Sequence, residues 1–192
     1  MSLAFPQRRS HLIAASAASF ALVFAIDAFA LSPRFPWPPL RALFDSPSHA
    51  ALAFAVTLPW AARYQLGWKP LLIAVAAAIL IDLDHFIFAW SISLRDATTL
   101  SARPATQSLP GVLLLAGLLG LLTRRRSVFL LSLLALLTHI TRDASSGRVE
   151  WLWPLASRFR VPPAWNAALW GSVILLGVMR FENSRDSQRG AL

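Results

Sequence analysis

The chain of 192 residues contains no cysteine and has few charged residues. The absence of cysteine excludes disulfides, thiolate zinc sites and cysteine nucleophiles. Charged residues make up 14% of the chain, whereas they make up about a quarter of a typical soluble domain. Hydrophobic residues make up 56%. Too few polar groups are present to cover a water-facing surface, so the composition predicts an integral membrane protein.

Several signatures of enzymes and of nucleic-acid-binding proteins are also missing. The sequence has no serine nucleophile elbow, phosphate-binding loop, dinucleotide fingerprint or His-Glu-x-x-His helix. The net charge is +9, but the lysines and arginines are scattered between apolar runs and form no basic face with interleaved aromatics. We therefore expect the lipid bilayer and its anionic headgroups as partners, and no nucleic acid.

Six apolar runs predict an all-α, polytopic transmembrane helical bundle of about six spans. The runs cover residues 12–31, 46–63, 70–94, 107–123, 127–140 and 161–179. Prolines after Ser32 predict a surface loop, and Ser46-Pro47 has the pattern of a helix start. We expect one membrane domain over residues 1–180, followed by an irregular polar tail over residues 181–192.

The first run has two interpretations, a cleaved signal peptide or an uncleaved first span. Arg8-Arg9 precedes it, and Ala28-Phe29-Ala30 resembles a cleavage site, so five spans would remain after cleavage. Asp27 beside that site and the helix-length run favour an uncleaved span. Arg8-Arg9 and the Arg124–Arg126 turn favour a cytoplasmic N-terminus by the positive-inside rule.

Most histidines and aspartates are predicted to lie at one membrane face. In an up-down arrangement of six spans, four places share that face: the first loop, the end of run three, the third loop and the end of run five. Three of the four histidines and four of the seven aspartates fall there. The polar residues at these places are Asp45, His49, Asp82, Asp84, His85, Arg103, His139 and Asp143.

Helix geometry predicts that the polar residues of runs three and five can meet. Asp82 and His139 each lie twelve residues into their runs, roughly 18 Å along a helix. In a purely structural alternative, Asp82 forms an ion pair with Arg103 or Arg142, and His139 and Asp143 form a hydrogen-bonded pair that helps helices to pack. The chemical alternative is a divalent metal ion, most readily Zn²⁺, with Mn²⁺ or another ion also suited to such ligands.

Four short motifs in order resemble the YdjM-like family, small bacterial inner-membrane proteins predicted to be metal-dependent hydrolases. The motifs are Asp45-Ser-Pro-Ser-His49, Asp82-Leu-Asp84-His85, Arg103-Pro-Ala-Thr106-Gln107-Ser, and His139-Ile-Thr-Arg-Asp143 with Gly147 and Trp153-Pro154. The resemblance covers about residues 45–154. It implies a multi-pass protein of the bacterial inner membrane.

The resemblance also implies roles for individual residues. The metal ligands would be His49, Asp82, His85, His139 and Asp143. Asp84 would be a further ligand or a catalytic group, and Arg103 would steady an anionic substrate or intermediate. Two positions depart from the family pattern, because Ala102 and Gln107 stand where histidines are expected.

These observations predict a membrane-embedded, metal-dependent hydrolase or a degenerate relative of one. The expected reaction is hydrolysis of an ester or phosphoester, and the depth of the cluster suggests an amphiphilic substrate. Two alternatives stay open: a small proton or cation transporter using the same titratable groups, and a membrane partner protein without enzymatic activity.

Overall fold

The computed structural model describes residue 5 and residues 8–30, 38–100, 103–147, 149–155 and 158–189. Within these ranges the chain is an all-α helical bundle, as predicted. Six helices are long: α1 (Arg9–Ala30), α2 (Pro38–Arg63), α3 (Trp68–Leu80), α6 (Leu109–Thr123), α7 (Arg126–Ser146) and α8 (Pro163–Arg189). Two are short: α4 (Asp84–Phe88) and α5 (Leu94–Thr98). The strands β1 (Val149–Glu150) and β2 (Arg158–Phe159) pair antiparallel before α8.

Four of the described helical segments are long and apolar enough to cross a membrane. They are Arg9–Phe29, Trp68–Phe88, Arg126–Ser145 and Pro163–Phe181. Helices suit this setting because a helix satisfies its backbone hydrogen bonds within itself, where lipid offers no partners. Helix α6 is equally apolar but has only 15 residues. Helix α2 is long enough, with 26 residues, but carries Asp45, His49 and two prolines.

Helices α2 and α7 form the centre of the bundle. Helix α2 packs against α1, α3, α7 and α8, and α7 packs against α2, α3, α6 and α8. In α7, 61% of the most apolar stretch of 18 residues is buried, whereas 17–28% of the corresponding stretch is buried in the other three candidate spans. Leu114, Leu121 and Leu122 of α6 point outward and are more than 70% exposed. Polar side chains on α2 and α7 are therefore shielded by an outer layer of apolar helices.

Three predicted boundaries differ from the structure. Helix α2 begins at Pro38, so Ser46-Pro47 lies inside a helix and is not its start. Pro38 can begin the helix because the N–H that proline lacks would have no partner within the first turn. Run three ends earlier than Leu94, because α4 stops at Phe88 and Trp90 adopts a left-handed conformation with φ 50°. Helix α8 continues to Arg189, through most of the segment predicted as an irregular tail.

The predicted turn at Arg124–Arg126 is a compact helix cap. Arg124 is left-handed with φ 52°, its N–H donates to the Leu121 carbonyl, and that of Arg125 donates to the Gly120 carbonyl. Paired bonds of this kind satisfy the last carbonyls of α6. A Cβ on Gly120 would lie 2.7 Å from the Phe129 Cβ, so the glycine allows α6 and α7 to pack closely.

Candidate metal centre

The polar residues predicted to share a face do lie together, between α2, α3 and α7. His49 is in the first half of α2, and His139 and Asp143 are one turn apart near the end of α7. Asp82 lies where α3 tightens into a 3₁₀ turn over Ile81–Leu83. His49, His139 and Asp143 are each at most 1% exposed, so these three polar side chains form a buried group.

The contacts of His139 define which of its ring nitrogens is available. Its Nδ1 lies 2.7 Å from the Ala78 carbonyl oxygen, which can only accept a hydrogen bond. Nδ1 therefore carries a proton, and Nε2 lies 3.2 Å from the Asp82 Oδ1 and 3.3 Å from the Asp143 Oδ2. Three electron-rich atoms repel one another unless a proton or a metal ion lies between them. Metal-binding histidines are commonly held in this way, by a carbonyl on the opposite nitrogen.

Asp143 lies between the two buried histidines. Its Oδ1 is 3.3 Å from the His49 Nε2, and its Oδ2 is 3.3 Å from the His139 Nε2. The two imidazole rings stack with centroids 3.8 Å apart and an interplanar angle of 20°. One ligand atom from each of the three residues lies within 4.8 Å of the others, so this group could hold a metal ion. Asp45, His49 and Asp82 form a second such group.

Gln107 and Arg103 together connect Asp82 with Asp143 of this cluster. The Gln107 Nε2 donates to the Asp82 Oδ1 at 3.1 Å and lies 3.3 Å from the His85 Nδ1. Its Oε1 accepts from the Arg103 Nη1 at 3.0 Å, and the same nitrogen donates to the Asp143 Oδ2. The amide of Gln107, which stands where the family pattern has a histidine, therefore orients Asp82, His85 and Arg103. The other position that departs from the pattern, Ala102, lies outside the described residues.

Asp84 and His85 lie beside the buried group and do not join it. The His85 Nδ1 is 3.0 Å from the Asp84 Oδ1 but 3.9 Å from the Asp82 Oδ1. Thr106 donates its hydroxyl hydrogen to the Asp84 Oδ2. Their side chains are 15% and 18% exposed, so they face the partly open side of the cluster. The predicted role of His85 as a metal ligand stays a prediction.

A glycine and a helix cap hold the 3₁₀ turn Ala105–Gln107 against α6. Ser108 caps α6 by accepting from the Gly111 N–H at 3.2 Å. A Cβ on Gly111 would lie 2.5 Å from the Ala105 oxygen, so only glycine allows this approach. The close packing places Thr106 and Gln107 over Asp84 and Asp82.

The structure adds Asp27 and Arg142 to the cluster, two residues that the sequence did not place there. Asp27 of α1 accepts from the Ser48 hydroxyl at 3.0 Å and from the Arg142 Nη2 at 2.6 Å. The Arg142 Nη1 also donates to the Asp45 Oδ1 at 2.5 Å. Asp27 was visible in the sequence as a charge within an apolar run, which is costly in lipid unless it is paired. Its partner, 115 positions away, was not visible.

Among the described contacts, neither arginine pairs with Asp82, so the ion pair of the structural alternative is not found. Arg103 pairs with Asp143, and Arg142 pairs with Asp27 and Asp45, whereas the described contacts of Asp82 are with His139, His85 and Gln107. The cluster contains five aspartates and two arginines, which leaves three negative charges in excess while the imidazoles are neutral. The five are Asp27, Asp45, Asp82, Asp84 and Asp143. A bound cation would offset part of this excess, because buried unbalanced charge is costly.

Comparison with known proteins gives one match. A family model described as YdjM inner membrane protein matches residues 44–192, which include every cluster residue except Asp27. No curated protein and no solved structure matches the chain.

Proposed function

The chain belongs to the YdjM inner membrane protein family, and we propose that it is a membrane-embedded, metal-dependent hydrolase of ester or phosphoester bonds. The observation that carries this proposal is the buried group of His49, His139 and Asp143. In it, the His139 Nε2 faces two carboxylates. Carboxylates and imidazoles together suit Zn²⁺ first, with Mn²⁺ as the next choice.

The residues closest to such an ion are those that already face the His139 Nε2. His139 and Asp143 would hold it together with Asp82, and His49, whose Nε2 lies 2.9 Å from the Arg142 Nη1, would support Asp143. When bound, a divalent ion supplies Lewis acidity that activates water and polarises the scissile bond. The Ala78 carbonyl keeps the His139 ring in the required tautomer, and Gln107 keeps the Asp82 carboxylate turned toward it.

Asp84 and Arg103 are the residues proposed to act on water and substrate. The Asp84 carboxylate lies on the partly open side, where His85 and Thr106 orient its two oxygens for proton transfer. The Arg103 side chain is 25% exposed and is held by Gln107 and Asp143. Its fixed positive charge suits an anionic substrate group or the charge that develops during hydrolysis.

An amphiphilic substrate is supported by the apolar segment that follows His85. Ile87, Trp90 and Ile92 are 73–98% exposed and, with Phe86 and Ser91, line an open groove of about 570 Å³. Aromatic and aliphatic side chains in such a position suit the boundary between headgroups and acyl chains. We also propose a bacterial inner-membrane location with a cytoplasmic N-terminus, which the arginines at residues 124–126 favour.

The first test is the metal content of the protein purified in detergent, measured by elemental analysis. We expect about one divalent ion per chain in the parent and none in the His139→Ala/Asp82→Asn double variant. A matched control is His11→Ala/Asp96→Asn, which changes the same residue types outside the cluster. Absence of metal from the parent after incubation with Zn²⁺ and with Mn²⁺ would exclude the proposal.

The second test is hydrolysis. The metal-loaded protein is assayed with chromogenic esters and phosphoesters that carry short or long acyl chains, before and after chelation. We expect turnover that is lost on chelation, restored by metal, and faster with the long chains. Metal binding without any turnover would leave the metal site standing and exclude the hydrolase.

Proton or cation transport is the second candidate function. It is favoured by the unbroken series of titratable contacts from Asp45 through His49, Asp143 and His139 to Asp82. Flux measured in liposomes separates the two functions. Transport in the absence of any hydrolysis would favour this second candidate.

A further inference from the structure

Arg142 is the charged residue of the cluster that the proposed hydrolysis leaves without a role. It lies on α7 directly before Asp143, and its side chain is 13% exposed. Its Nη2 donates to the Asp27 Oδ1 at 2.6 Å. Its Nη1 donates to the Asp45 Oδ1 at 2.5 Å and lies 2.9 Å from the His49 Nε2. Because a guanidinium has only donors, the His49 Nε2 accepts in this contact.

The position of the guanidinium coincides with the second group of potential metal ligands. That group consists of Asp45, His49 and Asp82, with one ligand atom of each within 4.8 Å of the others. The Arg142 Nη1 contacts two of these three residues. One nitrogen of a permanent cation therefore faces the carboxylate and the imidazole that a second metal ion would use.

We propose that the Arg142 guanidinium is a built-in cation that fills this second group, so that the chain binds one divalent ion where its ligands are arranged for two. The inference rests on the proposed function, because the first ion is taken to occupy the group around His139 and Asp143. The stacked rings of His49 and His139 are 3.8 Å apart. The Asp143 carboxylate lies between these rings, with its Oδ1 3.3 Å from the His49 Nε2 and its Oδ2 3.3 Å from the His139 Nε2, so it presents one oxygen to a cation beside each ring.

The charges of the cluster support the same assignment. One divalent ion reduces the excess of three negative charges to one, and a second would make the cluster positive. Without Arg142 the excess would be four, which two divalent ions would balance. A guanidinium keeps its charge at any relevant pH and cannot be removed by a chelator. It therefore holds Asp45 and His49 in place whether or not metal is available.

The test is the number of ions bound per chain, measured in detergent by titration with Zn²⁺ and by elemental analysis. We expect one ion in the parent, two in Arg142→Gln, and one in Arg142→Lys, which retains a cation. The matched control is Arg95→Gln, an exposed arginine of α5, which should bind one ion. One ion in Arg142→Gln, with the parent also binding one, would overturn the assignment.

A second variant protects the test against misfolding. Arg142→Gln leaves buried carboxylates without a partner, whereas Arg142→Gln/Asp27→Asn removes one charge of each sign and preserves Asp45, His49 and Asp82. We expect two ions in the double variant as well, and one ion there would also count against the assignment. No ion in the parent but one in these variants would overturn the proposed function and support the role of Arg142. No ion in any form would overturn both.

Discussion

The two sides of the polar cluster are built from the same residue types but balance their charge differently. On the side of α1 and α2, Asp27 and Asp45 are paired with Arg142. On the side of α3, Asp82 faces the Nε2 of His139 and the amide of Gln107. The guanidinium balances charge on the first side, whereas on the second side only an imidazole nitrogen and an amide face the Asp82 carboxylate.

This difference shows why carboxylates and histidines that lie together are not by themselves a metal site. Asp27 lies near the end of the apolar helix α1, and Asp82 lies just after the apolar helix α3. A charged carboxylate at either place is costly in lipid unless it is paired. Arg142 of α7 places the first of them in an ion pair. A histidine whose Nδ1 is held by the Ala78 carbonyl turns the other into a metal-ligand candidate. The following changes separate the two sides, beginning with the residue they share.

Asp143→Asn is expected to have the largest effect on metal binding, because Asp143 contacts both buried histidines. We expect Zn²⁺ affinity to fall by about 100-fold or more, since even supporting residues of a metal site contribute 10–100-fold. The measurement is competition with a chromogenic chelator in detergent. Asp96→Asn, a carboxylate outside the cluster, should bind as the parent does. Parent-like affinity in Asp143→Asn would place the metal elsewhere.

Gln107→Leu tests the support of the α3 side. The leucine removes the donor to Asp82 and the acceptor for Arg103 at similar size, so we expect affinity to fall roughly 10- to 100-fold. Gln107→His keeps a donor at this position and should retain most of the affinity. The same competition assay distinguishes them. If both variants bind alike, the amide has no orienting role.

His85→Gln is expected to have a smaller effect, about 10-fold or less, because His85 faces Asp84 and Gln107 and not the buried group. It was among the ligands that the family resemblance implies, so the result decides between the two assignments. Calorimetric titration with Zn²⁺ gives the affinity. A loss as large as that of Asp143→Asn would show that His85 is itself a ligand.

Asp27→Asn should leave metal affinity unchanged within about threefold, since Arg142 still pairs with Asp45. The lost ion pair is partly exposed, so the free energy of unfolding should fall by roughly 1 kcal/mol. Thermal unfolding in detergent, compared with that of Asp96→Asn, measures this change. A large loss of metal affinity would mean that α1 supports the metal side directly.

The composition and order of the apolar runs were sufficient to predict the bundle and its polar face. Each predicted run corresponds to a long helix, and the argument from alternating spans brought His49, Asp82, His139 and Asp143 to one place. The helix boundaries were predicted less accurately. Prolines do not fix where a helix starts, since Pro38 begins α2 and Pro47 lies within it.

Contacts between distant residues could not be predicted in the same way. Asp82 was paired in one interpretation with Arg103 or Arg142, yet both arginines turn to other carboxylates. Arg142 lies on α7 between His139 and Asp143, and only the packing of α2 against both α1 and α7 decides that it meets Asp27 and Asp45. Gln107 looked like a lost ligand, but the close approach at Gly111 places its amide where it orients the cluster.

The sequence alone determined that this protein is a helical membrane bundle with histidines and aspartates at one face. It could do so because hydropathy and helix rise are local properties. The tertiary structure decided which carboxylates contact a guanidinium and which contact an imidazole nitrogen. Such pairing depends on how helices far apart in sequence are rotated and packed, and no local pattern encodes that.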